Sequence, residues 1–438
     1  MLLKKVVERS DSKHKTLTPC GRVFGSVHPP GSKSLTNRAL IIAALAEGCS
    51  HLIGPLESDD TAVLRHALSQ LGATITETKR GWMVEGGVSR LGTRNSSRVL
   101  DVGASGTSAR FLTALAGLAP GVTTIDGTER MRLRPMGGLI DALRVMGCEV
   151  VSVSDGGGLP VTIEGGLPLR GGVIPVDVRT SSQFCSALMM IAPFVGEEVV
   201  LEFIDGQVTS RPYLYSTAET MEKFGVKPTV RETHIFIPAA SYQAGEIIIE
   251  ADASAAVYPW AVAAITGGEV TVTGISHTST QADMGVLGVL EQMGCSVQAR
   301  AMEITVRGPE RLQAVTVDMN HCPDAAVAIA VVALSAEGVT CIKNIANLRV
   351  KETDRLTALE HELSKLGAYV TMTEDSISIA PGPLKGGAID TYNDHRMAMA
   401  FSLAGLVVEG VTIANPDCVA KTWPEFFSVL DQLCSGSA

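Results

Sequence analysis

Aromatic residues are scarce in this chain of 438 residues, at 4%, whereas glycine occupies 44 positions. Glycine at that level indicates closely packed backbone and many tight turns rather than an aromatic binding surface. Low-complexity tracts are also absent, and a content of 45% hydrophobic and 19% charged residues is typical of a globular protein. Because a single core rarely grows to this length, we predict two domains.

An excess of positive charge is missing as well, because the formal net charge is −10. This argues against a nucleic-acid partner, although locally focused cations can still bind small anions. Metal-ligand spacing is absent: His321 and His361 lack partners, and His395 stands beside Asp394 only. Neither a GxxxxGKS or GxxxxGKT phosphate loop nor a GxGxxG turn occurs. We therefore expect no metal and no cofactor.

Paired cysteines are missing too, since the nine cysteines form no CxxC pair and no cluster with histidine. An odd, scattered set fits reduced and mostly buried thiols. The most apolar run, around residues 184–195, is too short to span a bilayer. The N-terminus mixes Lys4 and Lys5 with Glu8 and lacks a signal-peptide core. We expect a cytoplasmic protein without a membrane partner.

One pattern recurs six times along the chain: an Ala/Leu-rich stretch, a glycine and a β-branched segment. The marker glycines are Gly48, Gly121, Gly196, Gly268, Gly338 and Gly410. Their spacings of 73, 75, 72, 70 and 72 residues are too regular for chance. A second glycine, as in LGATI at Leu71, follows an amphipathic stretch and indicates a helix end. Each unit therefore reads as helix, strand, helix, strand, and the sixth stops after its second helix, FFSVLDQL.

Polar segments precede the first helix of every unit. They are PGSKSLTNR (30–38), GASGTSAR (103–110), TSSQF (180–184), DASAAVY (252–258), PDAAVA (323–328) and NDHRMA (393–398). Such residues cap helices in any protein, so one segment alone would be structural. Cations at the same places, Lys33, Arg38, Arg110 and Arg396, favour anion binding at the helix N-termini. The segment NLRVKETDR (347–355) mixes both charges and alone is typical of a solvated helix face.

Taken together, these segments resemble the enolpyruvyl transferase family, and within it the 5-enolpyruvylshikimate-3-phosphate synthases. The similarity covers roughly residues 18–432, and NLRVKETDR and YNDHRMA are its most specific motifs. It implies an α/β (α+β) fold of six βαβαββ units, three in each of two domains with pseudo-threefold symmetry. We expect residues 1–30 plus 250–438 to form one domain and residues 31–249 the other, with the active site in the cleft between them.

The resemblance implies a reaction as well. The enolpyruvyl group of phosphoenolpyruvate would move to the 5-hydroxyl of shikimate 3-phosphate through a tetrahedral intermediate, with release of phosphate. By this analogy, Asp324 is the base toward the 5-hydroxyl, and Glu352 with Lys33 handles the proton at the enol carbon. Carboxylates among cations normally have depressed pKa values, so Glu352 as an acid needs compensating burial. A monomer is the family expectation.

Binding residues are carried over from the family in the same way. Those implied for phosphoenolpyruvate are Lys33, Gly106, Arg130, Gln183, Arg355, Arg396 and Lys421. Those implied for shikimate 3-phosphate are Lys33, Ser34, Arg38, Ser181, Ser182, Gln183, Ser210, Tyr213, Asp324, Asn347 and Lys351. Arginine suits these anions because its planar fork can donate two parallel hydrogen bonds.

The chain departs from the family pattern at a few positions. Ala104 and Ser105 stand where many members have Asn-Ala, Phe111 stands where many have Pro, and Leu348 replaces a Trp of some relatives. None of them belongs to the catalytic set. Phe111 follows the segment implied for phosphoenolpyruvate, so sensitivity to the inhibitor glyphosate stays open.

Two rival functions compete with this one. The sister enzyme transfers enolpyruvyl to UDP-N-acetylglucosamine, but its opening motif pairs Lys and Asn adjacently, whereas Lys33 and Asn37 are separated here. A non-catalytic shikimate-phosphate binding protein would need no acid–base set, yet Asp324, Glu352 and Lys33 are all present. Both rivals are therefore disfavoured.

Overall fold

The computed structural model describes residues 14–93, 96–154, 157–206 and 208–436. The strands are β1 (His14–Thr16), β2 (Phe24–Val27), β3 (Gly48–Ile53), β4 (Thr74–Thr78), β5 (Gly81–Gly86), β6 (Ser97–Asp101), β7 (Gly121–Asp126), β8 (Glu149–Ser152), β9 (Val161–Gly165), β10 (Gly172–Val176), β11 (Val199–Phe203), β12 (Thr229–Val230), β13 (His234–Ile237), β14 (Glu246–Ile248), β15 (Glu269–Thr273), β16 (Ser296–Arg300), β17 (Glu303–Arg307), β18 (Leu312–Gln313), β19 (Thr316–Asp318), β20 (Ala336–Glu337), β21 (Thr340–Lys343), β22 (Tyr369–Met372), β23 (Ile377–Ala380), β24 (Ala388–Ile389) and β25 (Thr412–Ala414).

Helices alternate with these strands along the chain. They are α1 (Lys33–Leu45), α2 (Asp59–Leu71), α3 (Gly106–Leu118), α4 (Glu129–Arg132), α5 (Gly137–Val145), α6 (Gln183–Ile191), α7 (Pro212–Lys223), α8 (Ala253–Thr266), α9 (Val286–Gln292), α10 (Pro323–Val332), α11 (Arg355–Lys365), α12 (His395–Ala404) and α13 (Phe426–Cys434). Short 3₁₀ helices lie at Val88–Arg90, Ala192–Val195, Ile204–Gly206, Ala282–Gly285, Ala333–Ser335, Ala346–Val350 and Pro416–Lys421. Within the described ranges, no helix is both long and apolar enough to cross a membrane.

The repeat seen in the sequence corresponds to a repeated sheet. Within the described residues, five sheets have four strands each, in the orders β14-β3-β5-β4, β6-β7-β9-β8, β10-β11-β13-β12, β2-β15-β17-β16 and β19-β21-β23-β22. The first two strands of each order pair in parallel, and the other pairings are antiparallel. This is the βαβαββ arrangement that the family resemblance implies.

The expected order of helix, strand, helix, strand is corrected in one respect. Two antiparallel strands, not one, follow the second helix, as β4 and β5 follow α2. Only two residues separate the strand ends Thr78 and Gly81. Because such a short turn carries no long polar break, the pair is easily read as a single extended segment in the sequence.

The sixth unit is completed by the N-terminal strand. It contains β24, α12, β25 and α13, and β1 pairs antiparallel with β25 in the order β1-β25-β24. Thus β1 lies where the other units place the last strand of their hairpin. The backbone N–H of Leu17 donates to the carbonyl of Val411 at 3.0 Å, and Lys15 pairs with Asp431 of α13 at 2.5 Å. The two ends of the chain therefore belong to one unit.

Buried apolar side chains form two separate cores within the described residues. One draws on residues 17–27 and 251–433, and the other on residues 35–249. The chain therefore passes between the cores twice, and Gly31 and Ala251 form an antiparallel bridge where the two crossings meet. In one core, α1, α3 and α6 pack together, and in the other, α8, α10 and α12 do so. These are the Ala/Leu-rich helices, whose small side chains allow close approach.

Leu17 tests whether the N-terminal segment contributes to the sixth unit. Its side chain is 4% exposed and packs so closely on Gly405 that a Cβ there would lie 2.3 Å from the Cβ of Leu17. We expect Leu17→Ala to lower the free energy of unfolding by about 2–4 kcal/mol, because it removes buried methyl groups and leaves a cavity. Urea denaturation measures this, with Leu133→Ala, at a leucine 77% exposed, as the control. Equal effects of the two changes would contradict the packing role.

Candidate functional site

The first helices of all six units begin at one cavity between the two cores. In the described part of the chain, each of them contributes residues at its N-terminus to the cavity lining. These are Lys33 and Ser34 at α1, Gly106 and Thr107 at α3, Ser182 and Gln183 at α6, Asp252 and Ser254 at α8, Asp324 at α10, and His395 and Arg396 at α12. Because helix N-termini present free N–H groups and partial positive charge, the convergence favours phosphate and carboxylate ligands.

The side chain of Arg355 lies at the centre of the charged groups in this cavity. Its Nε donates to Oδ2 of Asp394 at 2.7 Å, Nη1 to Oδ1 of Asp324 at 2.9 Å, and Nη2 to Oε2 of Glu352 at 2.9 Å. The guanidinium is 1% exposed. Burying a charge this deeply is costly unless it is paired, and three carboxylates provide the pairing. Asp394 also caps α12 by accepting from the N–H of Arg396 at 2.9 Å, which fixes the cluster to a helix end.

Asp324 has further cationic neighbours. Its Oδ2 lies 3.1 Å from Nη2 of Arg396, and its Oδ1 lies 3.3 Å from Nζ of Lys351. Burial alone would raise the pKa of the Asp324 carboxyl, but Arg396, Lys351 and Arg355 together hold it well below its ordinary value. Asp324 is therefore ionised at neutral pH.

Glu352 is likewise a largely buried carboxylate surrounded by cations. Besides Arg355, its Oε1 lies 3.8 Å from Nη1 of Arg134, and its side chain is 13% exposed. Burial acts to raise the pKa of Glu352, but Arg355, Arg134 and Lys421 hold it well below the ordinary value. The sequence left open whether burial would raise the pKa of Glu352 enough to offset the effect of nearby cations. In this geometry it does not, so Glu352 is also ionised.

Asp60 connects two lysines at another wall of the cavity. Its Oδ1 accepts from Nζ of Lys421 at 2.7 Å, and its Oδ2 lies 3.6 Å from Nζ of Lys33. Burial would raise the pKa of Asp60, but Lys421 and Lys33 lower it overall. Lys421 also donates to the carbonyl of Ala104 at 3.2 Å. These contacts join residues of the two cores across the cleft.

Arg38 is held by polar and aromatic contacts at once. Its Nε donates to Oγ1 of Thr217 at 2.7 Å and its Nη2 to Oγ of Ser186 at 3.2 Å. The guanidinium lies 5.4 Å from the ring centroid of Phe111 and 5.7 Å from that of Tyr213, within cation–π range. Burial lowers the pKa of Arg38 to about 10. Phe111 is thus a packing partner of a cavity arginine, which explains why an aromatic ring is accommodated there.

Most of the residues implied by the family resemblance lie in this cavity lining. They are Lys33, Ser34, Arg38, Gly106, Ser181, Ser182, Gln183, Ser210, Tyr213, Asp324, Asn347, Lys351, Glu352, Arg355 and Arg396. Arg130 and Lys421 are outside it. The Arg130 guanidinium donates to the carbonyls of Lys351 at 3.0 Å and Arg349 at 3.1 Å, so it holds the loop that carries Lys351 and Glu352.

Some lining residues were not identified from the sequence. They are Asp60, Thr107, Arg134, Thr180, Thr209, Asp252, Ser254 and His395. Signals existed for three of them: Asp60 lies in the polar segment SDDT (58–61), Asp252 opens DASAAVY, and His395 precedes Arg396 in NDHRMA. Burial, Lys33 and Arg396 hold the pKa of His395 well below its ordinary value, so its ring is neutral. Among the described residues, no group of three or more His, Cys, Asp or Glu side chains is arranged to hold a metal ion.

Gly106 stands in close contact with two arginines. A Cβ on this residue would lie 2.6 Å from Cζ and Nη1 of Arg134 and 2.5 Å from Nη1 of Arg110. Its own carbonyl accepts from Nη1 of Arg110 at 3.0 Å. Glycine therefore lets the backbone of α3 approach both guanidinium groups as they stand, whereas a side chain here would require them to shift.

The family comparison places the chain among known proteins. The family model of EPSP synthase (3-phosphoshikimate 1-carboxyvinyltransferase) matches residues 17–430. A protein named 3-phosphoshikimate 1-carboxyvinyltransferase from Sulfurovum sp. is 44% identical over 428 residues, covering 96% of this chain and 99% of the relative. One of the same name from Photobacterium profundum is 44% identical over 427 residues, covering 95% and 98%.

Solved structures show the same architecture. EPSP synthase from Acinetobacter baumannii superposes with a TM-score of 0.81 at 27% identity, covering 96% of this chain and 98% of that one. The enolpyruvyl transferase NikO from Streptomyces tendae superposes with a TM-score of 0.77 over 95% of this chain and 96% of that one. At 18% identity, the second likeness concerns the fold alone.

Replacing Arg355 should reverse the way in which the free energy of unfolding depends on pH through Asp324 and Glu352. In the wild type, their depressed pKa values give stabilisation that is present above the unfolded pKa and lost as pH falls through the folded pKa. In Arg355→Gln, burial without that cation should raise the pKa values of Asp324 and Glu352. The cost of burying their negative charges is then relieved as pH falls and the carboxylates become protonated. We expect a loss of about 3–5 kcal/mol near pH 8 that shrinks toward about pH 5.

Denaturant titrations at several pH values measure this difference. The control is Arg311→Gln, because Arg311 is 74% exposed and pairs with an exposed Glu337, so its change should cost under about 1 kcal/mol at every pH. A loss in Arg355→Gln that stays constant or grows on acidification would contradict the role assigned to Arg355.

Proposed function

Because the chain belongs to the EPSP synthase family, we propose that the cavity described above carries out the reaction of that family with Asp324, Glu352 and Lys33 as its catalytic residues. The protein transfers the enolpyruvyl group of phosphoenolpyruvate to the 5-hydroxyl of shikimate 3-phosphate and releases phosphate, a step in the shikimate pathway to the aromatic amino acids. One observation supports the residue roles above the others: a single buried arginine holds Asp324 and Glu352 at the same cavity wall.

Shikimate 3-phosphate is proposed to bind on the side of α6 and α7. Ser181 and Ser182 precede α6, where free N–H groups favour its phosphate, and Ser210 holds a left-handed backbone (φ 57°) facing the same space. Further contacts are proposed from Ser34, Arg38, Gln183, Tyr213, Asn347 and Lys351. This arrangement would direct the 5-hydroxyl toward Asp324 on the opposite wall.

Phosphoenolpyruvate is proposed to bind between α3 and the Arg355 cluster. Lys33, Gly106, Gln183, Arg355 and Arg396 all line that part of the cavity and offer N–H donors for its carboxylate and phosphate. Arg130 and Lys421 are proposed to contribute too. In this geometry they do so by holding the 349–352 loop and Asp60.

Arg134 is proposed as a further ligand of phosphoenolpyruvate. Its side chain is 9% exposed and lies 3.8 Å from Glu352, and within the described residues its Nε has no hydrogen-bond partner. A buried guanidinium with unused donors favours an anion beside it. Arg134 also lines the cavity next to Gly106, whereas Arg130 does not reach the lining. We therefore assign to Arg134 the direct contact that the resemblance gave to Arg130.

The first chemical step needs a base at the 5-hydroxyl. Asp324 is ionised and can accept a proton, but a strongly depressed pKa makes it a weak base. We propose that substrate oxyanions draw Arg396 and Lys351 toward themselves, which raises the pKa of Asp324 as the complex forms. The hydroxyl oxygen then adds to C2 of phosphoenolpyruvate while Asp324 takes the hydroxyl proton.

The methylene carbon C3 must gain a proton in the same step and lose one later. Glu352 is ionised while Arg355 is its close partner, so it must first take up a proton from solvent. Substrate anions that share Arg355 would raise the Glu352 pKa and favour this uptake. Glu352 then delivers the proton to C3, and Lys33, which lines the same cavity, is proposed to assist this transfer. In the second step, the Glu352 carboxylate takes a proton back from the new methyl group as phosphate leaves C2. The proton that Asp324 took from the hydroxyl passes to the departing phosphate, which leaves as hydrogen phosphate, and Glu352 returns its proton to solvent.

Three further expectations accompany this function. The two cores are consistent with domains of residues 1–30 plus 250–438 and 31–249, and we propose those boundaries. We also propose that the protein is a monomer and acts in the cytoplasm, where its described cysteines, none of which forms a disulfide, would stay reduced.

Asp324→Asn tests the base directly. The amide keeps the size of the side chain but cannot accept the hydroxyl proton, so turnover should fall by roughly 10²-fold or more while shikimate 3-phosphate still binds. Steady-state release of phosphate and calorimetric binding measure the two effects. Asp318→Asn, an exposed aspartate of the preceding strand, is the control and should keep normal turnover. Near-normal turnover in Asp324→Asn would show that another group is the base.

Gly106→Ala tests how close the phosphoenolpyruvate site lies to α3. The added methyl must displace the guanidinium groups of Arg134 and Arg110, which narrows the cavity. Glyphosate is longer than phosphoenolpyruvate and should lose more affinity; a difference of about 1.4 kcal/mol corresponds to tenfold. We expect the glyphosate inhibition constant to rise more than the KM for phosphoenolpyruvate.

Gly137→Ala is the matched control, because a Cβ at Gly137 would have nothing within 4 Å. It should leave both constants unchanged. If Gly106→Ala changes the two constants by the same factor, Gly106 only supports the backbone at the start of α3 and does not distinguish the two ligands.

A further inference from the structure

Asp283 is a buried carboxyl that the mechanism above does not use. It lies in the 3₁₀ helix Ala282–Gly285 and is 1% exposed. Its Oδ2 accepts a hydrogen bond from Oγ of Ser254, and within the described residues its Oδ1 has no hydrogen-bond partner. Burying a carboxyl with so few partners is costly, so a structural role alone explains this residue poorly.

The charged and aromatic residues around Asp283 are residues that line the cavity. Burial, with Asp324 and Asp252 nearby, raises the pKa of Asp283 to about 6, although Arg396 acts in the opposite direction. The charge of Asp283 also helps to raise the pKa of the Tyr213 hydroxyl. At pH 8 the carboxyl is ionised and can only accept hydrogen bonds. Asp283 therefore lies directly behind the cavity wall as a fixed acceptor.

Ser254 connects this acceptor to the cavity. It lies in the first turn of α8 and lines the cavity beside Asp252, whose Oδ1 accepts from the backbone N–H of Ser254 at 2.9 Å. A serine hydroxyl has one proton and two acceptor lone pairs. Since Asp283 takes that proton, the Ser254 oxygen can offer only lone pairs to a ligand. The Ser254 oxygen therefore accepts a hydrogen bond from a ligand and donates none.

The Ser254 oxygen discriminates between anionic groups and neutral hydroxyl groups of a ligand. Phosphate and carboxylate oxyanions carry no proton to donate, so they are disfavoured next to the Ser254 oxygen and the Asp283 charge behind it. A neutral hydroxyl can donate to that oxygen. Of the two substrates of the proposed function, only shikimate 3-phosphate carries ring hydroxyls.

On the basis of the proposed function, we propose that Ser254 accepts a hydrogen bond from a ring hydroxyl of shikimate 3-phosphate, and that Asp283 is the positioning residue that turns the Ser254 lone pairs toward the cavity. The pair would thereby help to orient the ring and to keep anions away from the Ser254 oxygen. Ser254 is a binding residue in this account, and Asp283 acts only through it.

Ser254→Ala tests the hydroxyl contact with three ligands, shikimate 3-phosphate and its 4-deoxy and 5-deoxy analogues. Loss of one hydrogen bond should raise the dissociation constant of shikimate 3-phosphate about three- to tenfold at pH 8. One deoxy analogue, which lacks the donor, should bind the variant and the wild type equally well. The control is Ser276→Ala, whose exposed hydroxyl pairs with Thr278. It should change no dissociation constant.

The analogues separate a direct contact from a structural effect. Equal loss of affinity for all three ligands in Ser254→Ala would overturn the proposal, because the serine would then only support the fold of the wall. Unchanged affinity for shikimate 3-phosphate would overturn it as well. Calorimetry measures binding without turnover, so this result does not depend on the chemical step.

A double-mutant cycle tests the role of Asp283. If Asp283 acts only through Ser254, adding Asp283→Ala to Ser254→Ala should weaken binding of shikimate 3-phosphate by less than about twofold, whereas Asp283→Ala alone should weaken it as Ser254→Ala does. Independent, multiplying effects would overturn the positioning role. If Asp283→Ala fails to fold, Asp283→Asn serves in the same cycle.

The proposed function fails in a different way. A wild-type protein that released no phosphate from phosphoenolpyruvate and shikimate 3-phosphate would count against that function. An equal loss of affinity for all three ligands in Ser254→Ala would count against the Ser254 contact alone. The two failures are therefore distinguishable.

Discussion

The buried guanidinium of Arg355 is the interaction on which the rest of the site depends. It binds Asp324, Glu352 and Asp394 at once, and Asp394 in turn caps α12. One side chain thereby links both proposed catalytic carboxylates to a helix end of the surrounding core. This contact, with Arg396 and Lys351 at Asp324 and with Arg134 and Lys421 at Glu352, keeps both carboxylates ionised, so any proton that they carry in the reaction must come with a rearrangement of charge. Substrate anions that compete for Arg355 would provide that rearrangement.

Helix packing explains how an acidic protein can present a cationic cavity. The six Ala/Leu-rich helices pack closely in two groups of three, and their N-termini meet at the cleft between the cores. Cations and helix ends are therefore concentrated at one place, although the net charge of the chain is −10. Contacts such as Lys421 with Asp60, and Arg130 with the 349–352 loop, then connect the two walls of the cleft.

The sequence allowed the repeat to be predicted from local signals, whereas most of the cavity lining was expected from the family resemblance. Gly48 and Gly72 mark turns with φ values of 106° and 115°, and the polar segments do precede the helices that meet at the cleft. Other features depend on contacts between distant residues and left no local pattern. The N-terminal strand that completes the sixth unit is one such feature, and the second strand of a hairpin such as β4–β5 is hidden by a short turn. Side-chain direction was also beyond the sequence: Arg130 and Arg134 both stand in TERMRLRP, yet only Arg134 faces the cavity.

Enolpyruvyl transfer to shikimate 3-phosphate is tested most directly by measuring phosphate release from phosphoenolpyruvate by the purified protein with different acceptors. Shikimate 3-phosphate, UDP-N-acetylglucosamine and no acceptor are compared, with the product identified by mass spectrometry. We expect one phosphate released for each enolpyruvyl group transferred, and release only when shikimate 3-phosphate is present. Release with UDP-N-acetylglucosamine, or binding of shikimate 3-phosphate without any release, would contradict it.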